Sequence, residues 1–523
     1  MQEAKMLDDS NGNTLWMDAI KKEMKNVRIA FEVYDGKIDD LKGFQHIDCH
    51  LIFDIKMGEN FRCKARMVAG GHTTNTPSSI TYSSVVSRDS IRILLTIAAL
   101  NDLKVLLSDI QNAYLTAPCR EKVYTKAGPK FGPADCGKTM LIVRALYGLK
   151  SSGTAFRSFL ADHLWDIGYR PSKADSDVWM RPTIKNNGFK YWEYILCYVD
   201  DILVISDNPM QTMNNIGQKF KFKDDKAVTP EQYLGAGLSK MTNDSGTECW
   251  AMSSDEYCGA LVKTVEGVLE KKGLRLLSKC RTTTSHSYRP DLDATAELKE
   301  DGVQWYQELI GSLRWAAELG RVDILLEVTL MSQQLALPRE GHLEQVLHII
   351  GYLKQHPKLC LMFDSDSPKV NENWFLVYDW EDFYPGATEA IPPNQPEARG
   401  NAIITSAFVD ADLTGDKKNR RSMTGILMFI NQAPIHWYSK KQATVEASTF
   451  GAEFIAMHTA VEMAESLRYK LRMFGIPIDD STNIYCDNEA VYQNTVIPES
   501  TLKKKEPFYC ISQMQRSGGS QNY

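Results

Sequence analysis

The chain has 523 residues, 43% hydrophobic and 24% charged, with a formal net charge of −6; this is ordinary globular composition and predicts about three domains at roughly 100–200 residues each. No run approaches the ~18 apolar residues a membrane helix needs, the polar start (Glu3, Asp8, Asp9) is no signal peptide, and the eleven scattered cysteines contain no CxxC pair, which excludes a metal finger and a disulfide scaffold and suits a reduced, intracellular protein. Net acidity is the reverse of the basic footprint usual in nucleic-acid binders, so such a partner would have to be met by local basic stripes.

Residues 1–13 are polar and predict a disordered start. From 15 to 31 the apolar positions Leu15, Trp16, Ala19, Ile20, Met24 and Val27 recur at helical spacing. A β-rich stretch follows around 50–68, then loop chemistry over 70–79. Residues 91–100 predict a buried helix, 105–109 a strand, and 145–168 a helix after a break at Gly148. The clearest local signal is 194–206, where two apolar runs flank Asp200 and Asp201 as in a β-hairpin. Tyr191, Trp192 and Tyr194 beside it suit packing better than base stacking. Residues 246–365 predict mainly helix, with periodicity over 303–336 and 342–353 and a stop at Pro357. The Pro- and acid-rich stretch 366–400 predicts a linker. A second α/β pattern begins at 402: strands over 402–410, 425–430 and 435–439, a helix over 448–474, and a strand over 483–486.

Two constellations carry chemistry. The first is Tyr198-Val199-Asp200-Asp201 at the hairpin turn. Adjacent carboxylates at a tight turn are costly unless a cation neutralises them. Asp109, ending the strand over 105–109, can supply a third acid, and three such acids can hold the divalent ions that nucleotidyl transfer needs. The second lies in the C-terminal pattern, where Asp410 ends one strand, Glu453 sits early in the long helix and Asp487 ends another strand. Acids so placed can converge on a metal that activates water against a phosphodiester.

With these residues in view the chain resembles the polymerase region of copia-type retrotransposon polyproteins. Asp109–Tyr114 resembles the first palm motif, Ala145-Leu146-Tyr147-Gly148-Leu149-Lys150 the second, Tyr198–Asp201 the third, Tyr233-Leu234-Gly235 the primer-grip region, and Lys64–Gly71 the fingers motif. The likeness runs from about 14 to 505. It implies an α/β right-hand polymerase (fingers and palm over 14–245, a helical thumb and connection over 246–365) followed by a truncated ribonuclease H-like domain over 401–505. The activity implied is RNA-directed DNA polymerase. Asp109, Asp200 and Asp201 would be catalytic metal ligands for Mg2+ (or Mn2+). Lys64 and Arg66 would meet the triphosphate, Tyr114 would select deoxynucleotides, and the backbone at Gly148 would lie close to nucleotide or template. Asp410, Glu453 and Asp487 would hold metal in the ribonuclease H-like part, where Arg420-Arg421-Ser422, Trp437 and Lys440-Lys441-Gln442 also match. The implied partners are an RNA template, a DNA primer and product, an RNA–DNA hybrid and dNTPs, in the cytoplasm (within a virus-like particle) or the nucleus.

The resemblance also marks departures. Many relatives carry Arg where Gly70 stands. Beyond Lys505 the family pattern of a His-rich strand, a helix and a fourth acid gives way to Glu506-Pro507-Phe508 and an aberrant tail over 506–523, so impaired ribonuclease H action is expected. The basic clusters Lys417–Arg421 and Lys503–Lys505 suit solvated faces or a phosphate backbone. The rival reading is a catalytically dead remnant kept, if at all, for binding nucleic acid.

Overall fold

The structure is a computed structural model that describes residues 2–56, 62–75, 81–277, 279–285, 288–369, 385, 389, 391–479 and 481–497. The tail over 506–523, the cluster Lys503–Lys505 and most of the linker over 366–400 lie outside the described residues.

The fold is α/β, as the sequence predicts. Its centre is a five-stranded sheet in the order Lys104–Asp109, Asp201–Ser206, Lys190–Tyr198, Val178–Ile184, Arg170–Pro171. The two central strands read as near-continuous apolar runs because both faces of the sheet are covered, with Ile195, Leu196, Ile202, Leu203, Val204 and Ile205 all fully buried. One face carries the helices Ser152–Asp166 and Pro209–Gly217. The other carries the helix Arg88–Leu100, which is buried without a break from Ser90 to Ala98, its polar Arg92 and Thr96 included. Tyr191 and Tyr194 are buried in this packing, and the Tyr194 hydroxyl donates to the Phe474 carbonyl at 2.8 Å.

Ahead of this sheet stand a small mixed sheet (Phe31–Tyr34, Thr139–Ile142, Val123–Lys126, Gln45–His46) and a separate hairpin, Cys49–Lys56 with Arg62–Ala69. Ala65, Met67 and Ala69 turn one face of that hairpin inward, toward the helix Leu15–Val27 and its surroundings. Period-2 alternation puts Lys64 and Arg66 on the other face.

Four expectations are corrected. Residues 1–13 are not disordered: Gln2–Asn11 is a helix. The buried Asp8 carboxylate accepts the otherwise orphaned N–H groups of Trp16 and Met17 at 3.0 and 2.9 Å, capping the next helix from outside it. Residues 145–151 are not helical. The helix starts at Ser152, because the preceding segment runs extended beside the fingers strand, with a parallel bridge between Tyr147 and Val68. The helical region over 246–365 opens on a strand, Glu248–Ser253, which pairs with Ala236–Thr242 and is joined by Cys360–Met362. A boundary at 245 would cut that hairpin. Its helices are Asp255–Lys271, Glu300–Glu318, Leu325–Ser332 and Glu340–Gln355, the run over 303–336 being broken at Gly320, whose φ is +120°.

The C-terminal region is a four-stranded sheet in the order Ala433–Lys441, Met423–Ile430, Thr405–Ala411, Asn483–Cys486, covered by the long helix Thr449–Met473. It is not a separate unit with a core of its own, which is the fourth correction. One continuous hydrophobic core runs from Val86 through the central sheet to Val491. The seam is closed by Arg92, 2% exposed, whose guanidinium donates to the Glu318 and Ile435 carbonyls and lies 3.9 Å from the centre of the Trp437 ring. Asp89 beside it meets both Arg92 and His436. No described helix is long and apolar enough to cross a membrane.

Candidate active site

Strand pairing assembles the first site. Asp109 and Asp201 are directly opposed in the antiparallel pair, and the Ile110 N–H donates to the Asp200 carbonyl at 2.8 Å. Tyr198 pairs with Asp201, so the turn between the strands consists of Val199 and Asp200 alone. Val199 has φ +56°, a conformation a β-branched residue adopts only at a cost on the order of 1–3 kcal/mol. The strand pairing on either side sustains that strain and sets Asp200 at the turn beside Asp201, which is itself paired with Asp109. Burial pushes the Asp200 carboxyl up, and the charge of Asp109 adds to the shift; Arg66 and Lys64 oppose it. The charges of Asp109 and Asp200 act on each other, and two cationic side chains of the strand Arg62–Ala69 act on Asp200 as well. Such all-oxygen donors fit a hard divalent ion.

Asn112, in the left-handed region with φ +52°, turns the chain from Asp109 into the short helix Ala113–Thr116 and brings Tyr114 round to the same side. The Tyr114 ring lies 4.8 Å from that of Tyr147, and Arg66 is 5.0 Å from the centre of Tyr147. Burial pushes both phenols up, Tyr147 to about 12, with the negative charge of Asp200 adding to each. Lys223 lies 3.4 Å from Asp109.

The second group forms at the C-terminal sheet. Thr405–Ala411 and Asn483–Cys486 run parallel with Val409 opposite Cys486, so Asp410 and Asp487 leave adjacent strand ends side by side. Glu453 reaches them from the first turns of the long helix, whose N-cap Ser448 accepts from the Gly451 N–H. Ligand atoms of Glu453, Cys486 and Asp487 all lie within 4.8 Å of one another. Burial first, then the carboxylates of Asp410 and Asp487, push Glu453 up to about 7. Its Oε2 is buried with no hydrogen-bond partner among the described residues, a costly state unless a proton or a cation meets it.

The sequence profile of the reverse transcriptase (RNA-dependent DNA polymerase) family matches residues 31–268, which hold the whole first group. Over those residues the chain is similar to the reverse transcriptase family, which supports the copia-type likeness carried by its motifs. It is 27% identical over 482 residues to the retrovirus-related Pol polyprotein from transposon RE1 of Arabidopsis thaliana, covering 90% of this chain and 29% of that protein. It is 26% identical over 488 residues to the corresponding polyprotein from transposon TNT 1-94 of Nicotiana tabacum, covering 91% and 33%. The chain therefore spans about a third of the length of these curated relatives. A solved foamy viral protease–reverse transcriptase in complex with double-stranded DNA aligns over 95% of this chain and 67% of that one at 12% identity, with a TM-score of 0.49.

Within residues 31–268, all three expected acids, Lys64, Arg66 and Tyr114 lie on one side. Gly148 is different. Its φ is +91°, and a Cβ there would clash with the Ala69 carbonyl oxygen and lie 2.7 Å from Val68 Cγ1. What crowds Gly148 is the strand Arg62–Ala69. Tyr233, the first residue of the expected primer grip, is buried, its hydroxyl has no hydrogen-bond partner among the described residues, and burial and the charge of Asp201 hold that phenol well above its usual range. Sequence reasoning gave no role to Tyr147, Lys223 or Cys486. Tyr147 stood inside a quoted motif, and Cys486 at the end of the predicted strand over 483–486. Lys223 lies in the alternating run Lys219-Phe220-Lys221-Phe222-Lys223, which reads as a bland amphipathic strand until its backbone is seen to pair with Ile110 and Gln111. In the cluster Lys417–Arg421, the Lys417 N–H is tied to Asp291, and neighbouring Asp416 meets Lys441 at 2.8 Å.

Proposed function

We propose that the chain is an RNA-directed DNA polymerase that extends a DNA primer on an RNA template with deoxynucleotides from dNTPs. The observation that carries this reading is the cross-strand pairing of Asp109 with Asp201, with Asp200 half-buried at the turn between them and Lys64 and Arg66 acting on it from the fingers strand. Asp109, Asp200 and Asp201 would hold Mg2+ (or Mn2+), which when bound activates the primer 3′ oxygen and neutralises the leaving pyrophosphate. Lys64 and Arg66 would orient the triphosphate by charge-assisted hydrogen bonds. Tyr147 holds the guanidinium of Arg66 against its ring, which fixes where that donor points. Tyr114, propped on Tyr147, would present its ring under the sugar and exclude a 2′-hydroxyl.

The second group favours an additional reading, cleavage of the RNA strand in an RNA–DNA hybrid. Asp410, Glu453 and Asp487 would hold a divalent ion, and the unpartnered Oε2 of Glu453 is what supports it.

Primer extension on an RNA template with Mg2+ tests the first reading. The Asp200→Asn variant keeps the fold, checked by circular dichroism, and loses ~10³ or more of the rate, since a carboxylate acting only in the transition state supplies several kcal/mol. A wild type that binds primer–template but never extends it would identify the chain as a nucleic-acid-binding remnant.

A further inference from the structure

Cys486 has no part in the chemistry above, yet its sulfur sits among the ligand atoms of the C-terminal acids. We propose that Cys486, Glu453 and Asp487 form a site for a thiophilic divalent ion such as Zn2+ or Cd2+, distinct in chemistry from the all-oxygen centre of the polymerase. The proposal rests on the reading that a cation binds among these acids, and adds which class of ion the site prefers.

Three observations carry it. First, Sγ of Cys486 and carboxylate oxygens of Glu453 and Asp487 lie within 4.8 Å of one another. Bond lengths of about 2.3 Å to sulfur and 2.1 Å to oxygen in a tetrahedral site separate such ligands by about 3.6 Å. The trio therefore needs to close by only about 1 Å, and three protein ligands leave a fourth position for water. Second, Glu453 is 6% exposed and its Oε2 has no hydrogen-bond partner among the described residues. A carboxylate oxygen buried in that state beside two further acids is satisfied when a cation, or failing that a proton, meets it. Third, the sulfur is held in place. Val409 opposite Cys486 fixes the strand end, and the Asn488 N–H donates to Sγ at 3.4 Å. The Asn488 side chain in turn accepts from the Val491 N–H at the start of the next helix, so the turn after the thiol is pinned at both ends.

A thiolate among carboxylates selects soft and borderline ions over Mg2+, which takes oxygen ligands. On binding, the Cys486 thiol releases its proton to solvent and the metal–sulfur bond takes its place. A bound Zn2+ or Cd2+ would then occupy the position needed for hybrid cleavage, while Asp109, Asp200 and Asp201, without a thiol, would be spared. Low concentrations of such ions should silence cleavage and leave primer extension intact.

The test is a Cd2+ titration of the full chain, read by the ultraviolet sulfur-to-cadmium charge-transfer band, for wild type, Cys486→Ser and Asp487→Asn. The wild type should show a tight one-equivalent band. Cys486→Ser should abolish it, and Asp487→Asn should keep it but weaken affinity by about 100-fold, the upper end of what even the outer partners of a metal ligand contribute. An equal band with equal affinity in Cys486→Ser would place the ion on another cysteine and overturn the proposal. So would Cd2+ inhibiting extension as strongly as cleavage. A wild type showing the Cys486-dependent band but no hybrid cleavage under any metal would remove the nuclease reading and leave this site standing.

Discussion

Replacing Gly148 with alanine tests how the fingers strand is seated over the polymerase acids. Two costs arise at this residue. A φ of +91° is unfavourable for any L side chain, and the new methyl would press on the Ala69 carbonyl oxygen and on Val68 Cγ1 at 2.7 Å. The first costs about 1–2 kcal/mol. The second, an overpacking contact against backbone that cannot rotate away, costs about 1–3 kcal/mol. Gly188 provides the control, with φ +87° and nothing within 4 Å of an added Cβ. Urea unfolding should show Gly148→Ala losing more than Gly188→Ala, the difference being the crowding contribution alone. Because relief has to come from a shift of residues 68–69, Lys64 and Arg66 on the same strand move with it. Primer extension should then show KM for dNTP rising more than kcat falls. Equal destabilisation by the two variants, or an unchanged KM in a destabilised Gly148→Ala, would refute the reasoning.

Asp8→Ala should destabilise by about 1–2 kcal/mol, the worth of a helix cap, measured by denaturant unfolding; no loss would mean that the first helix is not docked. Tyr114→Val should lower the ratio of deoxynucleotide to ribonucleotide incorporation, and an active variant with an unchanged ratio would clear Tyr114 of sugar selection. Glu453, raised from 4.5 to about 7, holds a proton in the folded chain that the unfolded chain releases, so stability without divalent ion falls as pH climbs through that window. Glu453→Gln has no proton to lose, and its advantage over wild type should be absent at pH 4, reach at most about 3 kcal/mol at pH 8 at ~1.4 kcal/mol per unit, and shrink when Mg2+ is added; an advantage independent of pH would contradict the shift.

What was legible in the sequence was local. The hairpin at Asp200 and Asp201, the strand ending at Asp109 and the second α/β pattern each announce themselves in a short window, because the apolar period and the acids sit within a few residues of one another. The seating of Gly148 was not legible, since its crowding comes from Ala69 and Val68, nearly eighty positions earlier. The same holds for Lys223, which reaches Asp109 only through a bridge between Ile110 and Phe222. The helix Gln2–Asn11 was missed because its polar sequence carries little amphipathic signal, and what secures it is one buried carboxylate capping the helix that follows. The domain boundary expected near 400 follows composition, which cannot show that the helix Arg88–Leu100 packs against strands from both sides of it.

That shared helix sets where the chain can be cut. A polypeptide ended at 365 or 400 would keep every polymerase acid, and by sequence bookkeeping would be a self-sufficient enzyme. It would also strip Ile435 and Trp437 from Arg92, exposing one side of a guanidinium that now has two carbonyls and an indole around it, together with the apolar flank of its helix. Solubility of such a fragment would turn on that flank rather than on anything near Asp200. The sensible unit for expression, and for any exchange of parts between relatives, is the joined body, with the C-terminal sheet serving as a wall of the central sheet's core as well as the seat of the second acid group.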